Sequence, residues 1–403
     1  MVGAVDFSVR YTPAQEAFRA EVRDWIEQHV PSELRFATEH GEPLERYQAR
    51  RALGRKMGAR GWLYPMAPAQ YGGGGLTLDE AFVLVEEFGR YELELPPYYD
   101  SGGALGHMAI LVWGTDEQKA ALLPPIFSGE QRTWQLLTEP GAGSDLAAAS
   151  TQAIREGDEY IVSGTKVFVG SDHGADALWT IVRTGPAEAR HNNLSWLMIA
   201  ADSPGITYQP MKLIGGMEKY AVYFDEVRVP AERLVGGENK GWTVASTHLE
   251  LEHGMRTDHL IGTRQSRAWE ALARVCRADR RLLDDEVARD RVAEAYARTQ
   301  VVKLLGLRNY WLAMANQPLT YQGPQAYLME KTSAQWFAAA LLDVLGPAAL
   351  YDGDTVDQGV LSAFQATSIV AMHGGGTAEI QKLIMSRRIG IGQREAHAAG
   401  KLV

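Results

Sequence analysis

The chain has 403 residues, 46% of them hydrophobic and 22% charged, which supplies a large core and shows no bias toward disorder. Lys and Arg number 40 against 50 Asp and Glu, a formal charge of −10, and the absence of a basic block argues against nucleic acid as the main ligand. Cys276 is the single cysteine, which rules out an intrachain disulfide and a multi-cysteine metal site and fits a reducing compartment. The first residues lack a secretory pattern. The longest apolar run, Phe337 to Tyr351, is interrupted by Asp343 and Pro347. A soluble cytoplasmic protein without membrane insertion is expected.

From the N-terminus, "TPAQEAFRAEVRDWIEQHV" reads as a helix, with Thr12 as cap and Pro13 at the first helical position. "ERYQARRALGRKMGARG" and "TLDEAFVLVEEFGRYE" continue the helical character, the latter capped by Thr77. "TDEQKAALLPPIFSGE" is a short helix expected to stop at Pro124 and Pro125. After Gln131 the segments become short, β-branched and aromatic, separated by Gly, Pro, Asp and Asn turns, as in an antiparallel sandwich or barrel. Helical patterning returns at Gly241 and lasts to the end. The expected division is 1–130 N-terminal helical domain, 131–240 central β-domain and 241–403 C-terminal helical bundle, mainly α overall.

A dinucleotide fingerprint fails, because "GAGSDL" (Gly141 to Leu146) lacks the third glycine and the β-α alternation. Glu250 and His253 form one E-x-x-H, but a di-iron bundle needs a second and none is present, so no metal is expected. "LLTEPGAGSDLAAAST" is a strand and a turn whose backbone N–H groups, with the Ser144 hydroxyl, can hold a phosphate; an ordinary turn explains it equally well. In "SGTKVFVGSDHGAD" an aromatic strand follows, suited either to one wall of a flat cofactor site or to a sandwich core. On the helix from Gly241, Trp242, Ala245, Leu249 and Glu252 fall in a stripe about 80° wide. A carboxylate on an apolar face is desolvated and becomes a better general base. The alternative is an i,i+4 ion pair of Glu252 with Arg256.

Together these stretches resemble the acyl-CoA dehydrogenase family nearly end to end. "PAQYGGGGLTLDEAFVLVEEFGR", "GTDEQKAALLPPIFSGE", "LLTEPGAGSD", "GTKVFVGSDHGAD", "VYFDEVRVPAERLVGGENKGW" and "GGGTAEIQKLIMSRRIG" stand in the family's order. The resemblance implies a helical domain, a β-domain and a four-helix bundle. It also implies an FAD enzyme that introduces an α,β double bond into an acyl-CoA thioester and passes electrons to an electron-transfer flavoprotein. By position, Gln135, Leu137, Thr138, Phe168 and Gly170 would line the flavin, and Gly143 and Ser144 would meet the pyrophosphate. Gly376, Thr377 and Glu379 would contact FAD, and Ser144, Arg256 and Gly375 would border the substrate. Family members are homotetramers or homodimers, and some pair as heterotetramers.

The departures carry information. Phe168 stands where the family usually has Trp, and Gly170 where a Thr or Ser hydrogen-bonds the flavin near N5. Ser171 is turned to the other face by strand alternation. The Arg-x-x-Phe-Gly stretch that reaches a partner's FAD is unrecognisable, with Arg277, Arg280 or Arg281 as candidates to replace its arginine, and Asp343 replaces an expected Gln. Many members carry their base directly before the Gly-Thr of "HGGGTAEIQ", where this chain has Gly375; whether His373 borders the site is open. A second branch places the base on the helix opening the bundle, and there the matching residue is Glu252. Alternatives to an active dehydrogenase are a silent or partial FAD-binding subunit of a heteromer, or a related oxidase or reductase.

Overall fold

The computed structural model describes residues 11–35, 41–91, 93, 95–214, 216, 218–252, 264–315, 317–351 and 359–391. They fall into two compact units, one ending at Glu252 and one following it. In the first, five helices precede the sheet: α1 (Pro13–His29), α2 (Leu44–Ala59), α3 (Leu78–Gly89), α4 (Ser101–Trp113) and α5 (Asp116–Phe127). Thr12 and Thr77 cap α1 and α3 as the sequence implies. Each hydroxyl accepts from the N–H three residues on, and Gln15 and Glu80 bond back to the cap.

Two of these helices differ from their sequence reading. α5 does not stop at Pro124 but runs through both prolines to Phe127. The prolines remove backbone donors, yet Leu122, Leu123, Ile126 and Phe127 are all buried, and that burial offsets the loss. α4 is hidden by its glycines. A Cβ on Gly102 would overlap Thr133 and the Trp134 carbonyl, and one on Gly106 would crowd the Trp179 indole. These glycines give up about 1 kcal/mol each of helix propensity so that α4 can lie close against the sheet.

Eight strands form one sheet: β1 (Thr133–Leu136), β2 (Gln152–Glu156), β3 (Glu159–Val169), β4 (Ala177–Arg183), β5 (Leu194–Ala200), β6 (Ile206–Lys212), β7 (Glu218–Pro230) and β8 (Leu234–Val235). Their order is β6-β7-β3-β2-β4-β5-β8, with β1 beside β4. The pairing is antiparallel, as expected, except that β1 runs parallel to β4 and one residue pair joins β2 to β4 in parallel. A parallel pair needs a crossover, and here the β2–β3 hairpin lies within it. Both faces are covered: Trp179 and Trp196 stack at 4.7 Å toward the helices, while Trp134, Leu178 and Val222 build the opposite core. Helix α6 (Gly241–Glu252) packs on α4 and β5. A Cβ on Gly241 would overlap the Leu194 backbone, whose close approach lets the Trp196 Nε1–H reach the Gly241 carbonyl at 2.9 Å.

The second unit is a helical bundle of α7 (Arg264–Ala278), α8 (Glu286–Met314), α9 (Gln322–Leu345) and α10 (Val360–Ala371), with α11 (Ala378–Arg388) laid against α9. Phe337 and Phe364 meet at 5.3 Å in its core, and Gln265 bridges Thr299 and Ser333 inside it. Gln322–Leu350 is long and apolar enough to cross a membrane by length and composition alone, contrary to the sequence expectation. Asp343 sits on the outer face of α9 and does not interrupt it, whereas α9 stops at Leu345 and Pro347 falls in the 3-10 turn that completes the segment. Its most apolar 18-residue stretch is 44% buried, with Phe337 and Leu341 in the bundle core.

Candidate active site

In the first unit, Leu137, Thr138 and Phe168, three of the residues selected from sequence, form a ledge where β1 ends. Thr138 O accepts from Val167 N at 2.9 Å, which lays the chain after β1 along the end of β3. Leu137 and Thr138 therefore come beside Phe168. Phe168 is 56% exposed, so it is not the sandwich-core residue that one reading of the sequence allowed. Gln135 is half-buried on β1. The turn beyond is closed by reciprocal backbone bonds between Glu139 and Ala142, leaving Gly143 and Ser144 exposed. Added side chains at Gly141 or Gly143 would meet nothing within 4 Å, so the space beside this turn is open. An exposed aromatic next to an open glycine turn suits a flat ring joined to a phosphate.

A pair that the sequence reading missed anchors this ledge. Glu139 and Lys166 are buried and joined at 2.7 Å. Lys166 Nζ also donates to Leu137 O at 3.1 Å, and Glu139 accepts from Ser150 N, Ser150 Oγ and Thr151 N at 2.6, 2.7 and 3.0 Å. Both ends of the Leu137–Thr151 loop are thereby tied to β3. Burial alone would raise the Glu139 carboxyl, but the Lys166 ammonium and the Ser150 bonds hold it down to about 2. Burial lowers Lys166. The available signal was parity: Lys166 occupies the same inward row of β3 as the buried Tyr160 and Val162, and a lysine there needs a partner.

Gly170 has a local cause. Phe168 and Gly170 have φ of 58° and 65°, and the pairing of β3 with β7 slips between Lys166 and Val169. A Cβ on Gly170 would overlap the indole of Trp134, which is fully buried and stacked on Tyr220 at 5.3 Å. β3 ends at Val169, so strand alternation does not orient Ser171, and that argument against it lapses. Gly170→Thr, which installs a residue type that the family resemblance leads one to expect there, is expected to destabilise the protein by ~2–5 kcal/mol through backbone strain and overpacking. The shift in the urea midpoint measures it; an unchanged midpoint would refute the Trp134 account.

β1 itself is held from its free edge by the start of α4. Asp100, the N-cap, accepts from Thr133 N at 2.6 Å and Gly103 N at 3.2 Å, and from the Tyr64 hydroxyl; Ser101 Oγ accepts from Gln135 N at 3.1 Å. Burial pushes the Asp100 carboxyl up to about 6 against these stabilising bonds. A raised folded pKa means the folded form binds the proton more tightly. The resulting stability is fully present below the ordinary carboxylate pKa of 3.8 and is lost as pH rises through about 6. Unfolding free energies at pH 4 and 7 are expected to differ by up to ~3 kcal/mol more in the wild type than in Asp100→Asn.

Glu252 is the last described residue of α6, and its side chain, like that of Leu249, lies outside the described residues, as do His253 and Arg256. Of the sequence-derived stripe, Ala245 is buried and Trp242 half-buried against His191; the buried face also takes in Gly241, Val244 and Thr247. In the second unit Thr377 caps α11 by accepting from Ile380 N, and Glu379 lies exposed in the first turn. The first-turn N–H and the Thr377 hydroxyl hold Glu379 below its ordinary range. Gly375 is half-buried and His373 exposed. Asp343 is engaged by Arg291 at 2.8 Å and Arg281 by Asp279 at 2.8 Å, while Arg277 and Arg280 are exposed.

Three family models match in order: the acyl-CoA dehydrogenase N-terminal domain at 12–130, its middle domain at 135–227 and its C-terminal domain at 239–390. The chain is 29% identical over 401 residues to acyl-CoA dehydrogenase FadE26 of Mycobacterium tuberculosis, covering 94% of this chain and 96% of that protein. Among solved structures it is similar to the Tcur3481-Tcur3483 steroid ACAD, with a TM-score of 0.82, 28% identity and coverage of 96% and 100%. The ChsE4-ChsE5 complex of M. tuberculosis gives 0.79 and 28% at the same coverage. With helical, sheet and bundle segments each matched in sequence order, the chain belongs to the acyl-CoA dehydrogenase family, enzymes that depend on FAD.

Proposed function

We propose that this protein introduces an α,β double bond into an acyl-CoA thioester, with Glu252 as the base. The observation that carries the reading is the ordered match of all three family domains across residues 12–390. In this reading Phe168, Leu137, Thr138 and Gln135 would flank the ring of FAD and Gly143 and Ser144 its pyrophosphate, and Thr377 and Glu379 would also contact FAD; the exposed Phe168 and the open Gly141–Ser144 turn support it. Bound FAD supplies the acceptor for a hydride from the substrate β carbon. The Glu252 carboxylate takes the α proton, so the two C–H bonds that break deliver one proton and one hydride and leave the double bond. Ser144, Arg256 and Gly375 would border the substrate, and an electron-transfer flavoprotein would reoxidise the cofactor. The domain division at 130 and 240 belongs to the same reading.

With ferrocenium as artificial acceptor, a panel of straight, branched and steroid-side-chain acyl-CoA thioesters should yield a product two hydrogens lighter for at least one member. If a flavin-loaded preparation converts none, dehydrogenation is the wrong assignment. A second reading is favoured by Asp343, whose carboxylate is committed to Arg291, and by the similarity to a two-chain complex. In it the chain is one subunit of a heteromer and its partner completes the FAD site. Sub-stoichiometric FAD in the lone chain supports that reading, and one FAD per chain in a homo-oligomer rejects it. Rapid reaction of the reduced flavin with oxygen would instead indicate an oxidase.

A further inference from the structure

We propose that Tyr327 closes position 375 to any side chain and, with Lys331, fixes the Gly374–Gly376 turn that leads into α11. Gly375 and Gly376 have φ of 64° and 83°, where side chains are disfavoured. Gly375 carries a second restriction, because a Cβ there would overlap the Tyr327 hydroxyl and stand 2.7 Å from ring carbon Cζ. Tyr327 is 8% exposed, one turn of α9 before Lys331, which is 5% exposed and holds its ammonium 4.7 Å from the Tyr327 ring centre. Both side chains reach one acceptor: Tyr327 Oη donates to Gly374 O at 3.3 Å and Lys331 Nζ at 2.6 Å. From α11, Gln381 Nε2 donates to Gly375 O at 2.8 Å. Two successive carbonyls of the turn are thus held from two helices. Gly374 provides the contrast, since its φ is not positive and an added Cβ would meet nothing within 4 Å.

A carboxylate at 375 would have no room while Tyr327 keeps this place, so proton abstraction falls to a group elsewhere in the chain. Tyr327 is accordingly a positioning residue for the turn. The kinetic consequence rests on the acyl-CoA reading, but the packing claim does not.

The test uses the full-length flavoprotein and Gly374→Ala, Gly375→Ala, Tyr327→Phe and the Tyr327→Phe/Gly375→Ala double variant. Tm is read together with kcat and KM for an acyl-CoA that the wild type oxidises. Gly374→Ala is expected to stay near wild type, whereas Gly375→Ala lowers Tm and raises KM by about tenfold with a smaller change in kcat. Removing the Tyr327 hydroxyl should recover about threefold or more of that KM loss and part of the Tm loss, a coupling typical of residues in contact. Independent effects of Tyr327→Phe and Gly375→Ala, adding in Tm and multiplying in KM, would overturn the proposal. If no acyl-CoA is oxidised, the functional reading fails while the Tm cycle still decides the role of Tyr327.

Discussion

Glu252→Gln is expected to lower the rate of flavin reduction by acyl-CoA by ~10²–10⁴ while FAD content stays at the wild-type level. The amide keeps the size and polarity of the side chain and removes only the proton acceptor, so binding and catalysis separate. Two arguments select this residue. The turn before α11, where the family resemblance places the base of many members, has a glycine at 375 that the backbone and Tyr327 both require. The family resemblance places the other branch's base on the helix that holds Glu252, and on this helix, α6, Gly241, Val244 and Ala245 are buried. Stopped-flow absorbance of the flavin checks the prediction. Unchanged reduction would move the base elsewhere in the chain.

Lys166→Met is expected to destabilise the protein by ~3–5 kcal/mol, because it leaves the Glu139 carboxylate buried without its cation. The damage should concentrate in the Leu137–Thr151 loop, which loses the bond to Leu137 O and the partner of the carboxylate that binds Ser150 and Thr151. FAD should be retained less well in consequence. Adding Glu139→Gln should restore part of the stability, since a neutral side chain costs less to bury. Urea unfolding of the single and double variants measures both effects. Additive losses would show that the pair does not act as a unit.

The β3–loop assembly shows what a sequence displays and what it conceals. Thr12 and Thr77 were legible as caps because capping is a local backbone transaction with a fixed three-residue spacing. The strands were legible from β-branched runs between turns. α4 was not, because its glycines serve contacts with Thr133, Trp134 and Trp179 that exist only after the sheet has formed. The same holds for α5, where buried Leu123 and Phe127 outweigh two prolines. Gly170 read as a departure from the family pattern, and its positive φ together with Trp134, on another strand, explains it. The Glu139–Lys166 pair joins residues 27 apart in sequence, so parity on β3 could flag Lys166 but not name its partner. Gly375 was recognised as a missing carboxylate from the family pattern, while its exclusion by Tyr327 depends on the packing of α9 against the turn.

The account stands on the chain accepting a hydride from acyl-CoA, and anaerobic titration of the FAD-loaded protein with acyl-CoA thioesters tests that most directly. It predicts bleaching of the yellow flavin absorbance, without any added electron acceptor, by at least one straight, branched or steroid-side-chain thioester. A protein with one FAD per site that remains fully yellow with every thioester would contradict it.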